Sequence, residues 1–248
     1  MLGTRGPTAP ANSKEFDLAQ AHSILCQRLT QAATVPEILV LARAACFLLD
    51  QRTAWMSQWN IELTLTIVST MCSKRGELTA SSPKIYEKLC RMMEIIIKRH
   101  RIRLDGHFHI LVGALEALLR KLLSRPAEDI SEDHARLFAR LVTLVCEPTD
   151  ASVSRSVAGS SLDSERDRAK RYAGQYMYLV LMQYIKLQLE RAVPHGVLEA
   201  LQTGVYSILD ITSQDGLSLM NDAMDPSGRV IFKELYKQYK KFGKWQGV

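Results

Sequence analysis

Lys233, Lys237, Lys240, Lys241 and Lys244, with Arg229 one turn ahead of them, are the residues whose type and spacing could do chemistry in this chain. At about 100° per residue the lysines fall roughly on one side of a helix. A row of ammonium groups there can neutralise phosphates or acidic side chains. Phe232, Leu235, Tyr239 and Phe242 run between them at spacings of three and four, which stacks them into an apolar stripe on the other side. The segment Asp225 to Val248 therefore predicts a helix docked by its stripe with its cations turned outward. It holds six basic residues against Asp225 and Glu234, so four of the chain's six net positive charges sit here. Trp245, just past Gly243, either closes the packing or reaches a partner. A solvated basic face with no partner is the plain alternative.

Other chemistry finds little support. There is no Gly-x-x-x-x-Gly-Lys-Ser/Thr loop, no Gly-x-Ser-x-Gly elbow and no His-Glu-x-x-His. A calcium loop centred on Gly228 would use Asp225, Ser227 and Glu234, but Ala223 occupies its first ligand position, where a carboxylate is needed. His107 and His109 are two apart and diverge on a helix, and the six histidines show no paired carboxylate and nucleophile. Cys26, Cys46, Cys72, Cys90 and Cys146 are odd in number, widely spaced and set in apolar helical patterns, which reads as reduced core thiols in a reducing compartment. No catalytic residue, metal or cofactor is expected.

The elements that must position the basic segment are helical. Of 248 residues, 47% are hydrophobic and 23% charged, with eight prolines and thirteen glycines, the composition of a globular helical chain. A net charge of +6 and a pI near 9.1 favour an acidic partner such as RNA or an acidic protein surface. Apolar runs are broken by Arg43, Glu62 and Glu116 before reaching a membrane span, so no membrane partner is expected. Residues 1–11 are Gly/Thr/Pro-rich and read as a disordered tail without a signal peptide. Capping signals then start helices at Asn12, Thr34, Ser82-Pro83, Ser131, Pro194, Ser213 and Asp225. Others run from about Trp59 to Ser73, His107 to Leu123 and Glu165 to Arg191, giving ten in all.

Three local details carry expectations. Pro226 suits the first position of the terminal helix, and Gly243 predicts a left-handed C-terminal stop. Trp55 and Trp59 would share a face if the helical turn continues, anchoring a junction. Lys98, Arg99, His100, Arg101 and Arg103 form a basic helix end. It reads as a solvated turn rather than a phosphate-facing patch, since no aromatic residue is interleaved for stacking.

The order Leu219, Asn221, Asp225, Gly228-Arg229, Phe232-Lys233, Leu235-Tyr236, Tyr239, Phe242-Gly243-Lys244-Trp245 resembles the C-terminal domain of the nucleolar pre-rRNA processing family called unhealthy ribosome biogenesis protein two. The resemblance covers residues from about Leu104 to the end, and family members are much longer than this chain. It implies a non-catalytic nucleolar factor, a helical scaffold in large-subunit precursor particles, with particle proteins and precursor rRNA as partners and no small-molecule substrate. A general protein-interaction module without RNA contact is the alternative.

Paired in order, the helices start near residues 12, 58, 106 and 165, a spacing that approaches HEAT and armadillo arrays. The expected fold is thus an all-α irregular solenoid, with a compact helical bundle second. An N-terminal lobe, 12–146, and a C-terminal lobe, 165–248, would flank the Ser-rich stretch 147–164, which holds six serines.

Overall fold

The computed structural model describes residues 13–73, 82–124, 131–153 and 162–243. Among them the chain is all-α, with ten helices of ten residues or more and no strand. In chain order these are α1 (Ser13–Gln31), α2 (Val35–Gln51), α3 (Gln58–Ser73), α4 (Pro83–Arg99), α5 (Phe108–Leu123) and α6 (Glu132–Cys146). The single turn α7 (Asp150–Val153) follows, then α8 (Leu162–Glu190), α9 (His195–Ile211), α10 (Gln214–Ala223) and α11 (Pro226–Phe242). Tight 3-10 turns, Thr53–Trp55 and Arg101–Leu104, lie ahead of α3 and α5. The expected tail 1–11, Asn12, residues 154–161, Lys244 and Trp245 lie outside the described residues.

Side-chain caps fix several boundaries. Thr34 Oγ1 accepts the Glu37 N–H at 3.4 Å while the Glu37 carboxylate accepts the Ala33 N–H at 3.2 Å, so two otherwise unpaired donors at the start of α2 are satisfied together. Ser213 caps α10 by accepting from the Gly216 N–H at 3.2 Å. Before α3, Ser57 Oγ accepts from the Asn60 N–H and Asn60 Oδ1 accepts from the Ser57 N–H. That cap restarts the helix and corrects the tryptophan expectation. Trp55 ends a 3-10 turn and packs half-buried on the core, whereas Trp59 lies in the first turn of the new helix and is 63% exposed. The two do not share a face because Met56 and Ser57 break the turn between them.

The helices pack in two rows. In one row α2 meets α4, α4 meets α6 and α6 meets α9; in the other α1 meets α3, α3 meets α5 and α5 meets α8. Consecutive helices join the rows: α1 with α2, α3 with α4, α5 with α6, α8 with α9. This alternation is compatible with an irregular α-solenoid. The closest pairing, α6 with α9, is allowed by Gly204: a Cβ there would sit 3.0 Å from the Ala139 backbone. A continuous apolar core runs from Cys26 in α1 to Tyr239 in α11, across the Ser-rich stretch, where α7 forms and buries Val153.

Two polar features lie inside. His22 in α1 is fully buried against Asn60 and Thr64 of α3, within 3.3 and 3.4 Å of them. Burial, and then the nearby His100, lowers its pKa to about 4, so it is neutral at pH 7. The basic end of α4 is the second. His100 is buried with its Nε2 2.8 Å from the Leu49 carbonyl at the end of α2. Arg101 is also buried, and its guanidinium donates to the Leu144 and Val145 carbonyls at the end of α6. His100 and Arg101 are therefore not part of a solvated turn and are not free for phosphate, while Lys98 stays half-exposed and Arg99 exposed. The two buried side chains satisfy carbonyls that two neighbouring helix ends leave unpaired, and desolvation lowers the Arg101 pKa to about 10.

Candidate functional site

α11 begins as its sequence predicts. Asp225 Oδ1 accepts the Gly228 N–H at 2.7 Å and Pro226 occupies the first turn. That bond and the unbroken helix over Pro226–Phe242 leave no loop of the calcium-binding kind. Gly228 is buried, and a Cβ there would crowd the capping carboxylate at 2.9 Å.

The helix docks on α8 and α9. Phe232 and Tyr239 are buried and Leu235 is half-buried, as the stripe requires. The Tyr239 ring stands edge-on to Tyr206 of α9 with centroids 5.5 Å apart, and its hydroxyl donates to Asp210. Burial and that carboxylate push the phenol above its usual range, which keeps it the proton donor. Ile231 and Tyr236 also pack on the core, and neither belonged to the expected stripe.

Two expectations at the end of the helix are corrected. Phe242 is 56% exposed, with Lys241 Nζ 4.9 Å from its ring centre, so it does not hold the helix to the body. Gly243 is right-handed, with φ −77°, and makes no left-handed stop. Its lack of a side chain serves packing instead: a Cβ would run into the Tyr239 ring and come within 3.3 Å of Tyr206.

Lys233, Lys237, Lys240 and Lys241 are all exposed, on the side away from α8 and α9. Lys237 makes a long 3.9 Å contact with Glu234, and Lys240 Nζ lies 4.8 Å from the Tyr236 ring centre. Both are weak surface interactions that a partner could replace. Arg229 differs. Its guanidinium donates to the Met224 carbonyl at 3.0 Å and the Asp222 carbonyl at 3.3 Å, bracing the end of α10 instead of facing outward. The described part of the site is thus four lysines on a rim, held by Phe232, Leu235, Tyr236 and Tyr239.

A model of the Urb2/Npa2 family matches residues 39–248. The chain belongs to the Urb2/Npa2 family. The match starts well before Leu104, so it takes in the two rows from α2 onward as well as the terminal helix. Membership gives this Urb2/Npa2 chain a role in ribosome biogenesis. No curated protein and no solved structure matches it.

Nothing in the described residues of this family member assembles a reactive centre. All five cysteines are free. Burial raises the thiol pKa to about 12 for Cys26 and Cys72 and to about 11 for Cys46, and lifts Cys90 and Cys146 further, so these sulfurs stay protonated at pH 7. His107 Nδ1 is held 2.9 Å from Glu62. Among the described residues no three His, Cys, Asp or Glu side chains gather to hold a metal ion, and no helix is long and apolar enough to cross a membrane.

Proposed function

We propose that this chain is a non-catalytic nucleolar factor that serves as a helical scaffold in large-subunit precursor particles and supports pre-rRNA processing there. The family match over residues 39–248 carries the reading. Two features support the scaffold role. The two rows of helices offer long side surfaces, and α11 turns four lysines outward from a rim held by only a few buried side chains. Those lysines contact precursor rRNA or an acidic particle protein, with Lys244 and Trp245 extending the contact beyond the described helix.

The test reverses Lys233, Lys237, Lys240 and Lys241 to Glu together. Exposed charges contribute little to stability, so circular dichroism and melting stay nearly unchanged. In a sucrose gradient the reversed protein leaves the large-subunit precursor fractions. A folded, reversed protein that still cosediments with them overturns the α11 contact. Salt separates the two kinds of partner: phosphate contacts weaken steeply as salt rises, while an apolar protein interface does not.

A further inference from the structure

The basic end of α4 lacks aromatic residues in sequence, but the fold supplies one. Two adjoining concavities, about 510 and about 520 Å³, flank the 3-10 turn Arg101–Leu104 and share Arg101, Ile102 and Ser152 as walls. Each is large enough for a nucleotide-sized group. Lys98, Arg99 and Arg103 line one, and Arg168 and Tyr172 from α8 line the other. With Arg101 in both, five cations face three carboxylates, Asp50, Asp105 and Glu165.

The cations are not equally committed. Arg101 is spent on the carbonyls of α6, Arg99 bonds Asp50 at 3.1 Å, and Lys98 is held by Glu94 at 2.6 Å. Arg103 is half-exposed, and its guanidinium has no hydrogen bond or ion pair with another described residue. Arg168 reaches Asp105 only at 3.9 Å, with its side chain 76% exposed. Arg103 and Arg168 are therefore the two charges available to a ligand.

Tyr172 lies one helical turn beyond Arg168 on the same face of α8. Its ring is already oriented: the hydroxyl accepts the Gly106 N–H at 2.9 Å, and Phe108 and Tyr176 pack against it with centroids 5.5 Å away. A half-exposed aromatic ring one turn from a weakly paired arginine, with a second arginine lining the adjoining concavity, is an arrangement that can bind single strands, with the ring stacking a base and the cations taking flanking phosphates. A duplex offers no unstacked base for such a ring. An acidic peptide would use the arginines but leave Tyr172 idle.

We propose that the groove around Arg101–Leu104 binds single-stranded RNA, with Arg103 and Arg168 on its phosphates and Tyr172 stacked on a base. This site lies apart from the lysine face of α11 and does not depend on it.

The test is anisotropy of a fluorescein-labelled uridine oligonucleotide with the isolated full chain over a range of salt. Arg103→Glu with Arg168→Glu weakens binding at least tenfold. It also lowers the slope of log affinity against log salt by about 1.4, from roughly 0.7 per phosphate contact on a single strand. Tyr172→Phe, which keeps the ring, binds as wild type, while Tyr172→Leu loses about fivefold or more. If the double variant melts early, Arg168→Glu alone, at an exposed position, lowers the slope by about 0.7. Unchanged affinity and slope in the arginine variants overturn the proposal. So does equal binding of duplex RNA, or displacement of the oligonucleotide by polyglutamate at matched charge. Failure here leaves particle cosedimentation through the α11 lysines intact, and loss of cosedimentation leaves the oligonucleotide affinity intact, so the two sites fail separately.

Discussion

α5 and α11 are almost the same length, sixteen and seventeen residues, but ten residues of α5 are buried and only three of α11. α5 is apolar nearly all round and is enclosed by α3, α6 and α8. α11 is apolar along one stripe and touches α8 and α9. At roughly 1.5–3 kcal/mol for each fully buried large side chain, α5 is anchored several times more firmly than a helix resting on Phe232 and Tyr239. A helix bound so lightly opens without the rest. The inner helix can therefore carry stability, and the rim helix contact with a partner.

The sharpest way to break this contrast is Leu115→Ala in α5, where the side chain is fully buried. A loss of about 4 kcal/mol is expected in chemical denaturation, with all helices unfolding together. A loss below about 1 kcal/mol would remove α5 from the load it is assigned. Next comes Phe232→Ala, expected to cost about 3 kcal/mol. Hydrogen exchange should rise over residues 226–242 while the amides of α5 keep their protection. Faster exchange in both helices would show that α11 belongs to the global cooperative unit.

Acid should act on the buried contact between α1 and α3. His22 is held at about 4 in the folded protein against an ordinary 6.5, so between these values the unfolded chain binds more protons. Stability is complete above pH 6.5 and falls as pH drops toward 4, by about 2 kcal/mol at pH 5. His22→Asn should flatten this part of the profile in urea titrations at each pH; an unaltered profile would assign the acid sensitivity elsewhere. The smallest effect is expected at Lys237→Ala, under about 0.5 kcal/mol in a thermal melt, because its side chain is 80% exposed and its pair with Glu234 is long. A larger loss would mean that the lysine face is part of the packing.

What could be read from the chain follows how local each determinant is. Asp225 and Pro226 cap α11 through residues three apart or less, and the sequence alone places them correctly. The docked face was partly legible. Relative to Phe232, Phe242 lies roughly 80° round the helix on the Leu235 side, while Tyr236 and Gly243 lie about 40° and 20° the other way. Ile231, about 100° round on that same Leu235 side, still packs on the core, so angle alone does not decide contact: Phe242 is exposed at the end of the helix, and Gly243 must be small beside Tyr239 and Tyr206. Spacing gives the stripe, but the partner surface selects which residues it covers. The buried part of the basic end of α4, His100 and Arg101, was not legible, because its partners, Leu49 and Leu144, are some fifty residues before it and forty after it. For the same reason Tyr172, on another helix, could not be seen lining a concavity beside the Arg101–Leu104 turn in sequence.

The two-row packing also bears on how the chain acquires its structure. The largest pairings join a long helix to the next but one in its own row, so most packing waits until the intervening helix has been made instead of closing short loops. During synthesis the segments up to α6 can settle against one another while later ones are still being made. α9 then completes the row by closing on α6, and α8 completes the other on α5. α11 emerges after them, onto a surface already built by α8 and α9, and its arrival marks the point at which the nascent chain first presents its lysine face.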